Sequence, residues 1–278
     1  MRQDLLTQLR AAVETLPVFR KSAQKVLVLA ADTTCKPSDL INTIYKDPIL
    51  TLKVLKVINS PHYNLKNKVN SVELALVHMG INPIKNLLLP LSNSPEFMDD
   101  KNLGFDLHQY LLYLLCTAHI AKRLAMQFEC CDPTECFVAG LLHDFGKLAM
   151  ARALPHEFAS ALDYSKTHNC PLREALYSTL KVDYATVSAH LMHQWNFSPA
   201  LVDAAQHQHQ ANDNGMNICV FAAIQITKHL NFGFGGDNCV VPFPDVVKNK
   251  LDGTLEQVLA SLQDLDSLLH DVKMRVLI

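Results

Sequence analysis

Residues 140–148 of the chain are Gly-Leu-Leu-His-Asp-Phe-Gly-Lys-Leu, and the pair His143-Asp144 at their centre is the clearest chemical signal in the sequence. The pair lies in an otherwise apolar stretch. Burying an imidazole and a carboxylate costs free energy unless the two groups bind something or satisfy each other. Together they offer a nitrogen and an oxygen ligand that can anchor a Mn, Fe, Zn or Mg ion. The segment therefore predicts either a metal site or a buried polar pair.

The apolar residues on both sides of this segment have the spacing that is typical of helices. Apolar residues recur every three or four positions, which is typical of amphipathic helices packed around a core. Glycine is scarce, with nine residues among 278. The sequence therefore predicts an all-α fold.

Capping residues mark several helix starts. A short polar side chain can accept a hydrogen bond from a free amide of the first turn, and Glu or Gln three positions later completes a capping box. This spacing occurs at Asn70 with Glu73, Asp132 with Glu135, and Thr254 with Gln257. The second of these signals predicts a helix that begins at Pro133 and contains the His-Asp doublet.

Periodicity and these start signals predict a series of helices. The segment 48–58 is apolar nearly all round, so its helix should be enclosed by others. The glycine-rich segment 231–238 is interpreted as a linker. The predicted helices are 48–58, 71–79, 83–91, 103–128, one from residue 133 onward, 155–168, 171–179, 184–195, 199–209, 216–230, 244–250 and 254–276.

Composition excludes several classes of function. The 25 basic and 27 acidic residues give a net charge of -2, which is not the basic surface of a nucleic-acid-binding protein. The sequence contains no run of about 18 apolar residues, so it predicts no membrane span. The N-terminal residues lack the apolar stretch of a secretory signal, so we expect a cytoplasmic protein without a membrane partner.

Beyond the doublet, several segments of this chain resemble the HD-domain superfamily of metal-dependent phosphohydrolases. The resemblance is stronger to its HDOD branch, the HD-related output domain of bacterial signalling proteins. It extends to about residue 230. The segments that carry it are Leu16-Pro17, residues 47–52 and 58–60, Tyr63, residues 69–71 and 75–80, residues 140–148, residues 195–199 and residues 207–209.

The resemblance implies an HDOD-like helical bundle in two packed helical layers with a C-terminal helical extension. We expect an N-terminal helical subdomain at 1–98 and an HD-like subdomain with the doublet at 99–235. The extension would occupy 236–278.

The resemblance also implies where metal ligands would lie in an active HD enzyme. Such an enzyme carries a histidine well before the doublet, one or more histidines after it, and a late aspartate. In this chain, Tyr113 and Tyr184 occupy the two histidine positions, and the late acid is replaced by Ile224 or its neighbour Gln225. His143, Asp144, Lys147 and one of His207 and His209 match, with Gln208 at a remaining position.

This depleted ligand set favours a non-catalytic signalling module over an enzyme. In this interpretation the doublet is structural, with the imidazole of His143 hydrogen-bonded to the carboxylate of Asp144 and with Lys147 balancing the charge. A phenol of Tyr113 or Tyr184 would donate to the carboxylate. The resemblance implies that such a module binds a protein partner or a small signalling ligand, and the missing ligand positions predict that it holds no cofactor.

Two alternatives remain open. The first is a phosphohydrolase acting on nucleotides or cyclic dinucleotides, in which His143, Asp144 and His209 hold a divalent Mn, Fe, Ni or Mg ion. The second keeps the cleft as a nucleotide-binding pocket without hydrolysis. The sequence does not indicate the oligomeric state.

Two further groups of residues are weaker candidates. His190 and His193, together with His207 and His209, could form a metal site outside the HD pattern, although partly exposed surface histidines explain them more simply. Cys130, Cys131 and Cys136 lack the paired two-residue spacing of a zinc site and are interpreted as packing residues.

Overall fold

The structure is a computed structural model that describes residues 3–16, 18, 20–32, 34–91 and 106–276. The described residues contain helices, turns and loops but no strand, which confirms the all-α prediction. None of the described helices combines the length and the hydropathy needed to cross a membrane. The predicted boundary at 98/99 lies outside the described residues, as do Pro17 and the start of the helix predicted at 103–128.

The first part of the chain forms six helices among the described residues. These are α1 (Gln3–Glu14), α2 (Arg20–Ala31), α3 (Pro37–Tyr45), α4 (Pro48–Ile58), α5 (Val72–Met79) and α6 (Asn82–Leu91). As predicted, α4 is enclosed, with eight of its side chains buried. Helices α2 to α6 contact one another, whereas α1 packs against α9 (Gly146–Ala153) of the second layer.

The second layer is built around a long helix, α7. Its described helices are α7 (Leu107–Phe128), α8 (Pro133–Leu142), α9, α10 (Pro155–His168), α11 (Leu172–Leu180), α12 (Tyr184–Gln194), α13 (Pro199–Gln206) and α14 (Gly215–His229). Both α8 and α14 pack along α7, and α4 contacts α8 across the boundary between the layers. The core of this layer therefore surrounds the doublet, which follows α8.

The C-terminal extension consists of α15 (Asp245–Lys250), α16 (Leu255–Ser261) and α17 (Leu265–Val276). The sequence predicts one helix over 254–276, but Leu262 is extended and separates α16 from α17. The extension packs on the second layer, since α16 contacts α14 and α17 contacts α7.

The capping predictions are confirmed at two of three positions. Asp132 accepts a hydrogen bond from the amide of Glu135 at 2.8 Å, and Thr254 forms a complete capping box with Gln257. The Asn70 prediction is wrong by one position. Helix α5 is capped by Ser71, whose hydroxyl accepts a hydrogen bond from the amide of Leu74 at 3.2 Å, because Ser71 is the last extended residue before the helix.

The doublet lies in a turn between two helices, which corrects the prediction of one helix from Pro133 through the motif. Helix α8 ends at Leu142 and α9 begins at Gly146. The reason is a close approach of α9 to α12: a Cβ atom at Gly146 would lie 2.2 Å from the carbonyl oxygen of Tyr184. The amide of Gly146 donates to the hydroxyl of Ser188 at 2.9 Å, so the turn is held from the α12 side.

Candidate functional site

His143 is fully buried and is held by two neighbours. Its Nδ1 atom lies 2.7 Å from the carbonyl oxygen of Gly140, which can only accept, so Nδ1 carries the proton. The Nε2 atom is therefore the acceptor, and the hydroxyl of Tyr113 donates to it at 3.3 Å. Burial lowers the pKa of His143, which favours this neutral form.

Asp144 is also fully buried, and its neighbour is a lysine. The Nζ atom of Lys147 lies 2.5 Å from the Oδ2 atom of Asp144. The same ammonium donates to the carbonyl oxygen of Gly235 and lies 4.1 Å from the ring centroid of Tyr184. A side-chain cation thus occupies the space beside the carboxylate, as the charge-balancing role predicted for Lys147 requires.

Two of the predicted contacts of the doublet are wrong. The Nε2 atom of His143 is 3.8 Å from the Oδ2 atom of Asp144, which is beyond hydrogen-bond distance. No tyrosine hydroxyl in the described part of the chain donates to the Asp144 carboxylate. Tyr113 contacts the imidazole instead, and the Tyr184 ring faces the ammonium of Lys147. The reason is that the α8–α9 turn directs the two side chains of the doublet to different partners.

The backbone of the doublet is satisfied by side chains from other helices. The hydroxyl of Tyr110 on α7 donates to the carbonyl oxygen of Asp144 at 2.8 Å. The side-chain amide of Gln208, just beyond α13, donates to the carbonyl oxygen of His143 at 2.9 Å. The turn is therefore tied to both neighbouring helices.

A second buried ion pair lies close to the first. Asp237, in the segment predicted as a linker, pairs with Lys228 on α14 and accepts a hydrogen bond from the amide of Leu172 at 3.1 Å. Burial acts to raise the pKa of Asp237, but the charges of Lys228 and Lys147 outweigh it and hold the pKa below its ordinary value. Residues 231–238 thus pack on the core.

The two ion pairs form a charge quartet of Asp144, Lys147, Lys228 and Asp237, with two positive and two negative groups. Burial lowers the pKa of Lys147 below its ordinary value, although the charges of Asp144 and Asp237 act in the opposite direction. Because the four formal charges cancel, the quartet presents no net negative charge.

The remaining predicted positions lie apart from the doublet's contacts. Ile224 is buried on α14, and the side chain of Gln225 accepts a hydrogen bond from the amide of Val241 at 2.8 Å. His209 is partly buried, and its ring centroid lies 5.3 Å from that of Tyr184. Burial, followed by the charge of Lys147, lowers the pKa of His209 well below its ordinary value.

The four-histidine alternative is not supported by the geometry. The Nδ1 atom of His207 lies 2.8 Å from a carboxylate oxygen of Asp203, and the Nε2 atom of His190 lies 2.6 Å from the side-chain nitrogen of Gln194. His193 is exposed. Across residues 3–91 and 106–276, apart from the undescribed positions, no group of three or more metal ligands within 4.8 Å of one another includes a histidine.

The residues around the doublet do not fit a divalent ion. Lys147 already neutralises Asp144, and the lone pair on the Nε2 atom of His143 accepts the Tyr113 hydroxyl. An ion bound by the Nε2 atom of His143 would have to displace the Tyr113 hydroxyl, and it would enter a site whose charges already balance. A catalytic ion also needs an open position for water or substrate, whereas both residues of the doublet are 0% exposed.

Sequence reasoning missed Tyr110, Lys228 and Asp237. The sequence signal for Asp237 is the group of glycines that precedes it. Glycine is needed there, because a Cβ atom at Gly233 would lie 2.4 Å from the amide nitrogen of Tyr113. A segment that comes so close to α7 is packed against it, and the amide of Phe234 donates to the carbonyl oxygen of Gln109 at 2.9 Å.

An all-α bundle with a buried His-Asp turn between two helices defines the HD class of helical proteins. The chain matches the HDOD domain family model over residues 16–211 and belongs to the HDOD family. This confirms the resemblance drawn from the sequence.

Solved structures share this fold. The response regulator MmoQ from Methylococcus capsulatus is 23% identical with a TM-score of 0.71, covering 91% of this chain and 97% of that one. A virulence factor from Campylobacter jejuni is 20% identical with a TM-score of 0.69, covering 99% and 100%. An HDOD domain protein of unknown function from Geobacter sulfurreducens is 18% identical with a TM-score of 0.53, covering 99% and 97%.

Among curated proteins, an uncharacterized protein from Treponema pallidum is 21% identical over 174 residues. The aligned region covers 62% of this chain and 33% of the relative, so the chain spans about a third of that protein. The TM-scores of the solved structures show that those proteins share the fold of this chain.

Proposed function

We propose that this HDOD chain is a non-catalytic signalling module that acts by binding a protein partner. The observation that carries the proposal is the ammonium of Lys147, 2.5 Å from the Asp144 carboxylate, in the space that a metal would need. The scaffold of a hydrolase is kept, and its ion is replaced by a side chain of the protein itself.

Burial argues against the two alternatives drawn from the sequence. Metal-dependent hydrolysis requires an ion with an open coordination position for the attacking water. A nucleotide would need a cleft that leads to the doublet. His143 and Asp144 have no exposed surface, and Lys147 and Tyr113 are almost as deeply buried.

The surface of the N-terminal helices supports a protein partner. Val28 on α2 and Val77 on α5 are 71% and 78% exposed. Val77 also lines a groove of about 400 Å³ between α2, α3 and α5, whose other apolar residues include Leu29, Ile41 and Leu76. Val28 lies outside this groove, whose lining also includes the charged residues Asp32, Lys36 and Glu73. Exposed apolar surface with polar residues at its rim is typical of protein interaction sites. We therefore assign partner binding to this groove and a structural role to the doublet.

The catalytic question is tested by a phosphodiesterase assay with bis-p-nitrophenyl phosphate and with cyclic dinucleotides. The reduced chain is measured with Mn²⁺, Fe²⁺, Ni²⁺ or Mg²⁺ added, beside a His143→Gln variant. We expect no metal-dependent turnover in either protein. Hydrolysis by the parent that His143→Gln abolishes would overturn the proposal.

The partner is sought by cross-linking and affinity capture from lysate of the source cells. A specific partner should be captured by the parent and lost with Val77→Asp. The matched control is Val241→Asp, a 46% exposed valine near the C-terminal extension, which should retain capture. Equal capture by all three proteins would remove the groove from the proposal.

A further inference from the structure

Four cysteines converge where the α7–α8 turn meets α14. Cys130 and Cys131 lie in the turn, Cys136 lies in α8 and Cys219 lies in α14. The sulfur atoms of Cys131, Cys136 and Cys219 all lie within 4.8 Å of one another. Cys219 is distant in sequence from the other three cysteines, so their local spacing alone predicts only packing. The fold supplies the ligand that the local spacing lacks.

Cys130 lies beside this cluster, although its sulfur atom donates to the carbonyl oxygen of Phe128 at 3.5 Å and is not one of the three that lie within 4.8 Å of one another. Gly215 begins α14, one turn before Cys219. A Cβ atom at Gly215 would lie 2.2 Å from the carbonyl oxygen and 3.1 Å from the Cβ atom of Cys130. The backbone of Cys130 therefore runs directly against the first turn of α14. A rotation of its side chain away from the Phe128 carbonyl would bring its sulfur atom to the cluster.

The cysteine cluster is enclosed on the core side and reachable from the turn. Cys136 and Cys219 have no exposed surface, whereas Cys130 and Cys131 are partly exposed. All four are free thiols. A site with two buried sulfur atoms and two at the surface can exclude bulk water and still admit an ion from the turn.

The dimensions of the cluster fit a single ion. A tetrahedral zinc ion with Zn–S bonds of about 2.3 Å places its sulfur ligands about 3.8 Å apart. The observed limit of 4.8 Å exceeds this spacing by about 1 Å, so side-chain rotation can close the ligand set. Thiolates are soft ligands that select Zn²⁺ over Mg²⁺ or Ca²⁺.

We propose that Cys131, Cys136 and Cys219, with Cys130 as the fourth ligand, bind one Zn²⁺ ion. Each thiol that becomes a ligand releases its proton to water, and no sulfur is oxidised. The ion would join the α7–α8 turn to α14. It would thereby fix α8, which leads to the doublet, against α14, which carries Lys228.

The test uses the full chain, reduced, treated with a chelator and then freed of it. Zn²⁺ is titrated against a chromophoric competitor, and Co²⁺ is used as a spectroscopic probe of tetrahedral thiolate ligation. We expect one Zn²⁺ per chain and thiolate-to-cobalt charge-transfer absorption. Cys131→Ser and Cys219→Ser should each weaken zinc binding at least about tenfold. The matched control Cys116→Ser removes a buried thiol on α7 outside the cluster and should bind zinc like the parent.

Because Cys219→Ser alters a buried position, its helical content is checked by circular dichroism. Cys131→Ser, at a partly exposed position, keeps the test informative if the other variant fails to fold. The proposal is overturned if the reduced parent binds no zinc at micromolar concentration, or if Cys131→Ser binds zinc as tightly as the parent. Metal content that falls with His143→Gln but not with Cys131→Ser would place the ion at the doublet instead.

Discussion

The ammonium of Lys147 and the carboxylate of Asp144 form a buried ion pair at 2.5 Å. The two residues are one helical turn apart, and the turn that begins α9 brings their side chains together. In the proposed function, attraction between these two desolvated charges takes the place of the attraction between a carboxylate and a metal. The pair would then explain how an HDOD scaffold retains its aspartate without an ion.

The first prediction concerns the strength of this ion pair. Asp144→Ala leaves the Lys147 ammonium buried without its carboxylate, and breaking a buried pair in this way typically costs about 3 to 5 kcal/mol. The free energy of unfolding, measured by urea denaturation, should fall by about this amount. The double substitution Asp144→Ala/Lys147→Met removes both charges. Its loss in the free energy of unfolding should be smaller, by at least about 1 kcal/mol, than the sum of the losses caused by the two single substitutions. Strict additivity would show that the two groups do not interact.

The second prediction concerns the hydrogen bond from Tyr113 to His143. Tyr113→Phe removes the donor and leaves the buried Nε2 atom without a partner, so the free energy of unfolding should fall by about 1 kcal/mol. Tyr177→Phe is the matched control, because Tyr177 is 58% exposed. A surface substitution of this kind should change stability by less than about 0.5 kcal/mol. Equal effects of the two substitutions would contradict the assigned contact.

The third prediction concerns acid pH. Burial lowers the pKa of His143 and of His209, whereas an unfolded histidine has a pKa of about 6.5. Below a pH of about 6.5 the unfolded chain therefore takes up protons that the folded chain does not. The stability that the two neutral histidines contribute is fully present above this pH. It falls as the pH decreases toward their folded pKa values, by up to about 1.4 kcal/mol per pH unit for each histidine.

This pH dependence is measured by urea denaturation between about pH 7 and pH 5.5, a range that brackets the unfolded pKa of histidine. His143→Gln should reduce the slope of stability against pH in this range, because one of the two depressed titrations is removed. His62→Gln changes an exposed histidine and should leave the slope at the parent value. A slope that is the same in the parent and in His143→Gln would mean that His143 is not held neutral.

Much of the fold follows from local chemistry that the sequence displays. Asp132 and Thr254 cap helices where their spacing to Glu135 and Gln257 predicts. Tyr113 lies opposite His143, as its position in the family pattern implies. The caps can be predicted because they depend on residues close in sequence, whereas the position of Tyr113 follows from the family resemblance.

The parts that sequence reasoning missed depend on contacts between distant segments. Asp237 completes the charge quartet from a segment whose glycines suggest a linker, and Cys219 joins the cysteine cluster from another helix. The turn at the doublet is set by the approach of α9 to α12. None of these distances is encoded in local periodicity, so composition and spacing alone do not reveal them.

The last prediction tests the turn that carries the doublet. Gly146→Ala would place a Cβ atom 2.2 Å from the carbonyl oxygen of Tyr184 and 2.6 Å from the hydroxyl of Ser188, and the first of these is backbone that cannot rotate away. To relieve the clash, α9 and α12 must separate, which also moves the Tyr184 ring off the Lys147 ammonium. The loss of stability should therefore reach about 3 kcal/mol, at the upper end of overpacking effects.

Gly80→Ala provides the comparison, because Gly80 has a φ of +69° but no atom within 4 Å of the added Cβ. It should cost only the strain of a left-handed residue, about 1 kcal/mol. If thermal and urea denaturation rank the two variants in the opposite order, then backbone strain rather than helix contact governs these glycines, and the close approach of α9 to α12 is wrong.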